Sequence, residues 1–126
     1  MRDQYLLDSN VLFWLNSELK RIPAEVIAKV DGADAVYFSA ASAWELAIKQ
    51  SLGKLRMSGS ISAFVNRAGF LELAVTTRLA EAAAQLPMHH RDPFDRMIVA
   101  QAIDEDLTLI TADRRLAQYE VRTLRV

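Results

Sequence analysis

Apolar positions along this chain fall into two rhythms. Short runs rich in β-branched and aromatic residues have the length and the polar boundaries of strands: "QYLL" (4–7), "AVYFS" (35–39), "FLELAV" (70–75), "LTLIT" (107–111) and "VRTLRV" (121–126). Between them lie segments of helical character. "SNVLFWLN" follows the first strand, "PAEVIAKV" opens with Pro23 at its first position, and "SAWELAIKQSLG" closes at Gly53. "SISAFVNRAG" is a short helix, and the alanine-rich "TTRLAEAAAQL" is stopped by Pro87. The strongest helix is "DPFDRMIVAQAIDED", with Phe94, Met97, Ile98 and Ala102 on one stripe, and "ADRRLAQY" supplies a helical turn or two. Strands alternating with helices predict an α/β fold around a mostly parallel sheet.

One stretch breaks the pattern. "YLLDSNVLFWL" (5–15) is core material with Asp8 at its centre. An isolated carboxylate there costs several kcal/mol to bury unless it is paired or holds a metal. Asp8 ends the first strand, and Asp113 stands two residues beyond "LTLIT". In a parallel sheet the functional crevice lies beyond the carboxyl ends of the strands, so both acids project to one edge. Glu45 falls in the first turns of the helix after "AVYFS", and Asp95 in the first turn of its own helix. Helices of a parallel fold start at that same edge, so four acids from distant segments converge on one rim.

Each acid also has a local explanation. Ser42 and Glu45 have the spacing of a capping box, and Asp92-Pro93-Phe94-Asp95 is a well-formed helix start. Asp8 and Asp113 could each cap the segment that follows them. Capping gives no reason for Asp8 within an apolar run, however, and it leaves the rim crowded. Two carboxylates 4 Å apart repel by about 4 kcal/mol at an effective dielectric near 20. A divalent cation removes that repulsion. Oxygen ligands with no cysteine and little histidine suit Mg²⁺, with Mn²⁺ as the substitute, rather than zinc. His89 and His90 are adjacent, so their side chains diverge; they border the rim or simply belong to the loop, and the loop reading is preferred.

Composition narrows the field. At 126 residues, 52% hydrophobic and 25% charged, the chain has the make-up of one globular domain spanning 1–126. The absence of cysteine excludes disulfides, zinc fingers and thiol catalysis, and fits a reducing cytoplasm. No apolar run approaches the roughly 20 residues of a membrane span. Asp3 and Asp8 within "MRDQYLLD" argue against an export signal. A net charge of −1 excludes gripping nucleic acid by bulk charge alone. Any such contact rests on charge brought in by metal ions or on local cations: Lys49, Lys54 and Arg56 after Glu45, Arg91 and Arg96 around Asp95, and Arg114 and Arg115 after Asp113. Taken singly, each is better explained as part of a solvated face. Trp14 and Trp44 lie on apolar helix faces and suit a core or a partner surface.

Four blocks in order, "YLLDSNVLFWL", "SAASAWELAIKQSLGKL", "HHRDPFDRMIVAQA" and "LTLITAD", resemble the PIN-domain nucleases, and among them the VapC-type toxins of bacterial toxin–antitoxin pairs. The resemblance spans essentially the whole chain. It implies a PIN-like three-layer fold and a metal-dependent endoribonuclease that dimerises and is silenced by a small antitoxin. By it, Asp8, Glu45, Asp95 and Asp113 match the family's acidic quartet, Asp8 and Asp95 as main metal ligands with Asp113 and Glu45 completing the shell. Ser9 stands where threonine is common and keeps the hydroxyl; Asn10 matches the family asparagine. Lys49, Arg91, Arg96 and Arg114 are the candidates for RNA phosphates.

Three rivals are weighed. A haloacid-dehalogenase-type phosphatase needs a second aspartate two residues after the first, where this chain has Asn10. A receiver-like domain needs an acidic pair before its acceptor aspartate, which "MRDQYLLDS" does not provide. A catalytically silent PIN module binding RNA or protein is disfavoured by the presence of all four acids.

Overall fold

The computed structural model describes residues 3–126. Among the described residues, five strands form one sheet: β1 (Gln4–Leu7), β2 (Ala35–Ser39), β3 (Leu71–Leu73), β4 (Thr108–Thr111) and β5 (Thr123–Arg125). Their order is β3-β2-β1-β4-β5 and every pairing is parallel. Leu7 pairs with Phe38 on one side and with Ile110 on the other, so β1 is the centre of the sheet. Six α-helices accompany it: α1 (Ser9–Ser17), α2 (Ala24–Asp31), α3 (Ala40–Ser51), α4 (Ile61–Ala68), α5 (Thr77–Ala84) and α6 (Pro93–Asp104).

The period of two along each strand divides the core. Tyr5, Leu7, Val36, Phe38 and Ile110 face one way and pack with Val11 and Leu12 of α1, Val26 and Val30 of α2, Leu46 of α3 and Val65 of α4. Leu6 and Leu109 face the other way, onto Ile98, Val99 and Ala102 of α6. Ala41 of α3 joins Leu79 and Ala83 of α5 against Met97 and Ala100 of α6. Helices therefore cover both faces, giving the three layers that the PIN resemblance implies.

Element boundaries differ from expectation in instructive places. "FLELAV" pairs only over its three central residues, and "ADRRLAQY" becomes a 3-10 helix, Arg114–Gln118. An additional 3-10 turn, Leu19–Arg21, links α1 to α2. Pro23 is the N-cap of α2 and not its first helical residue. The third helix begins two residues earlier than its Ser42 signal, because Ser39 caps it by accepting the Ala41 N–H at 3.0 Å. The expected capping box is not made: Ser42 is fully buried and its hydroxyl meets that of Ser9 at 3.0 Å. Gly53, just after α3, has φ +72°, and Gly69 ends α4 with φ +75°, backbone that favours glycine.

Candidate active site

All-parallel pairing puts the carboxyl ends of β1, β2 and β4 on one edge. The same edge receives the starts of the helices that run back across the sheet, α1, α3 and α6. Asp8 follows β1 directly and is the N-cap of α1. Its Oδ1 accepts the Val11 N–H at 2.8 Å, and its Oδ2 accepts the Thr111 hydroxyl at 2.5 Å. The Thr111 hydroxyl also accepts the Asp113 N–H at 3.0 Å, so one buried side chain ties the ends of β1 and β4 together. Asp113 turns its Oδ1 to the Arg115 N–H at 2.9 Å, capping the 3-10 helix, while Arg115 Nη2 sits 3.0 Å from its Oδ2.

Asp95 reaches the same place from the first turn of α6. Asp92 caps that helix, its Oδ1 accepting from the N–H groups of Phe94 and Asp95, and Pro93 occupies the first helical position as expected. Glu45 extends from the second turn of α3. Its Oε2 accepts from Lys49 Nζ at 2.9 Å, whereas its Oε1 is buried with no hydrogen-bond partner. These side chains line one cavity of 210 Å³, bounded by Asp8, Ser9, Asn10, Glu45, Lys49, His90, Asp92, Asp95, Asp113 and Arg115. The four acids expected to converge do so. Ser9 and Asn10 lie beside them, the first buried and the second exposed.

Electrostatics record the crowding. Burial raises the Asp8 carboxyl to about pH 6, with Asp113 and Glu45 adding to the rise against the lowering effect of its Thr111 and Val11 hydrogen bonds. Burial also raises Asp95, to about 7, reinforced by Asp92, Asp8, Glu45 and Asp113. Asp113 moves the other way, held low first by its hydrogen bond from Arg115. Five carboxylates thus face two cations, Lys49 and Arg115, within one wall. An orphaned Glu45 oxygen and acids that resist ionising together are what a hard, oxygen-seeking cation relieves, so the donor set fits a divalent metal.

A comparison with family models decides the lineage: the PIN domain matches residues 5–122. The chain belongs to the PIN-domain family. This PIN domain is 29% identical over 117 residues to ribonuclease VapC22 of Mycobacterium tuberculosis, covering 90% of each chain. Among solved structures it is similar to VapBC from Salmonella typhimurium bound to DNA, at TM-score 0.70 and 18% identity, with 98% of each chain covered. It is likewise similar to FitAcB from Neisseria gonorrhoeae, at TM-score 0.64 and 24% identity, with 96% of each chain covered. These two likenesses speak to the fold.

The sequence reading ranks one residue of the PIN domain's site on the wrong side, and another escapes it. His90 is not a plain loop residue: it is 7% exposed and its Nε2 lies 3.0 Å from Asp95 Oδ2 and 3.1 Å from Asp113 Oδ2. Thr111 is the other. Each has a partner more than twenty positions away, Asp113 for His90 and Asp8 for Thr111, which no local pattern signals.

Arg96 requires a correction. It is buried, and its guanidinium donates to the carbonyls of Ala83, Ala84, Leu86, Pro87 and His90. It closes the carboxyl end of α5 and anchors the loop that carries His90, so it is withdrawn from the phosphate-binding candidates. Lys49 is half-buried and paired with Glu45, while Arg91 and Arg114 are exposed.

Arg96→Ala is expected to destabilise the fold by about 3–5 kcal/mol in denaturant unfolding, since it strands several buried carbonyls. Arg96→Lys, which lacks the fork, should rescue little of this. Without metal, the raised carboxyls make the folded chain bind more protons than the unfolded chain between about pH 4 and 7, so stability falls as pH rises through that window. Asp95→Asn should raise the metal-free melting temperature at pH 8 by about 5 °C and flatten the pH dependence in thermal melts.

Proposed function

We propose that this chain is a metal-dependent endoribonuclease of the VapC type, the toxin of a toxin–antitoxin pair, acting in the cytoplasm as a single 1–126 domain. One observation carries the reading: Asp8, Glu45, Asp95 and Asp113, drawn from four distant segments, line a single cavity together with an orphaned carboxylate oxygen. The likeness to ribonuclease VapC22 supports RNA as the substrate. The likeness to proteins solved as VapBC and FitAcB assemblies supports an antitoxin partner.

Asp8, Asp95, Asp113 and Glu45 would hold Mg²⁺, or Mn²⁺ in its place. Bound there, a divalent cation supplies the positive charge that a phosphodiester's transition state requires and lowers the pKa of water. The chain's own contribution is placement. Thr111 and the Val11 N–H fix Asp8, the Arg115 pair fixes Asp113, and the start of α6 aims Asp95. In the hydrolysis, water adds to phosphorus, the bond to the leaving oxygen breaks, and a proton passes to that oxygen. Exposed Arg91 and Arg114, with Lys49 at the wall, are the groups that would hold flanking phosphates. The Ser9 hydroxyl, bonded to Ser42, and Asn10 line the same cavity.

A homodimer belongs to this proposal. An apolar groove lined by Ala40, Ala41, Trp44, Val75, Pro93, Phe94 and Met97 flanks the acids, and Trp44, stacked edge-on against Phe94, is 64% exposed. Exposed apolar surface of this kind supports a protein contact.

EDTA should abolish cleavage of structured RNA, and Asp8→Asn should reduce it at least about 100-fold, as loss of a preorganised charged group does. Cleavage persisting under both conditions refutes the assignment. Sedimentation is expected to give twice the 14.1 kDa chain mass. Trp44→Lys should shift that species toward the monomer.

A further inference from the structure

His90 is held at each of its polar atoms, backbone and ring. Its backbone N–H donates to the Tyr119 hydroxyl at 3.1 Å, and its carbonyl accepts from Arg96 at 3.2 Å. Ring Nδ1 lies 3.1 Å from the backbone nitrogen of Asp92. A backbone N–H can only donate, so Nδ1 is the acceptor and carries no proton. The ring proton therefore sits on Nε2, between Asp95 Oδ2 at 3.0 Å and Asp113 Oδ2 at 3.1 Å.

That assignment decides between two roles. The donor atoms of His90, Asp95 and Asp113 lie within 4.8 Å of one another, a spacing at which all three could ligate one cation. A protonated Nε2 has no lone pair to offer, and freeing one requires the hydrogen bond from Asp92 to break. The carboxylates still have lone pairs to give: those of Asp95 Oδ2 can meet a cation directly, and Asp113 Oδ2, which accepts from both His90 and Arg115, can exchange the Arg115 bond for one. Asp95 comes from α6 and Asp113 from the turn after β4; the N–H is hydrogen-bonded to Asp113 and lies 3.0 Å from Asp95, so it stands between the two carboxylates.

We propose that His90 is a positioning residue of the metal centre and not one of its ligands. This rests on the reading of the site as a divalent-metal centre. The Nε2–H holds Asp95 and Asp113 at a fixed separation against their mutual repulsion, so that a cation meets a preformed pair. Arg96 and Tyr119 hold the His90 backbone, and the Asp92 N–H holds the ring at Nδ1. Groups that orient ligating carboxylates from behind are worth 10–100-fold in metal affinity, about the size of effect expected here.

The test is Mn²⁺ titration calorimetry on the full chain, joined to ¹⁵N detection of the His90 ring with and without Mg²⁺. His90→Ala and His90→Leu should bind Mn²⁺ about 10–100-fold more weakly, while His90→Gln, which keeps a donor at the Nε2 position, stays within about threefold of the parent. The parent ring should be the Nε2–H tautomer both without metal and at saturating Mg²⁺. Parent-like affinity in the Ala and Leu variants overturns the proposal, as does an Nε2 that loses its proton to Mg²⁺. Should both of those variants fail to fold, a Gln variant bound as weakly as Asp95→Asn overturns it, and one bound like the parent sustains it. Equal Mn²⁺ affinity in the parent and Asp95→Asn would instead defeat the metal-centre reading itself, and the ring tautomer would still be measured separately.

Discussion

Like charge forced together at one edge of the sheet is the constraint around which this molecule is arranged. Asp8 is 4% exposed and sits at the end of the central strand, with Glu45, Asp95 and Asp113 close enough to raise or share in its charge. The fold offsets part of the cost. Asp8 and Asp92 cap α1 and α6, whose positive ends point at the acids, and each such helix end is worth about 0.3–1 kcal/mol. A carboxylate pair in contact repels by several times that amount, about 4 kcal/mol at an effective dielectric near 20. In the metal-free chain burial first, and the neighbouring acids second, raise the proton affinities of Asp8 and Asp95. A site that is poor as structure and coherent as a cation cradle is the mark of chemistry placed ahead of stability.

Much of this is legible in the sequence, because parallel topology is a strong rule. Once strands and helices alternate, a residue at a strand's carboxyl end and one at a helix start belong to the same edge, and the quartet follows. Asp8 stood out because an apolar run offers no local reason for a carboxylate. Other features were not legible. The Thr111–Asp8 bond joins residues 103 positions apart, and the His90–Asp113 contact joins residues 23 apart; sequence spacing encodes neither. Ser42 misled because its spacing to Glu45 fits a capping box, yet Ser39, at the end of β2, was already available to cap α3.

Arg96 departs from a solvated face because of the helix it belongs to. Residues 96–102 of α6 are buried without interruption, so the helix is enclosed on all sides. In such a helix a charged residue is not on a solvated face, whatever its neighbours in the chain. Arg96 and Gln101 are the two polar members of that run. Both turn to backbone carbonyls, Arg96 to those of residues 83–90 and Gln101 to those of Leu73 and Ala74. Burial against backbone carbonyls, rather than exposure for a ligand, is the fate of both groups, although Gln101 Oε1 is left without a partner among the described residues.

Capping and chemistry also prove to be one device and not competing explanations. A carboxylate has two oxygens, and three acids of this cavity divide them. Asp8 and Asp113 each give Oδ1 to a backbone N–H and turn Oδ2 to a side chain across the site, while Asp92 gives Oδ1 to two amides of α6. The backbone bond fixes the rotamer, and the fixed rotamer aims the second oxygen. An acid anchored only by a surface lysine, as Glu45 is, lacks that rigidity, and it is the one whose buried oxygen is left without a partner. Helix caps are therefore the means by which a short chain with few basic groups at this edge brings several negative charges to a common point and keeps them there.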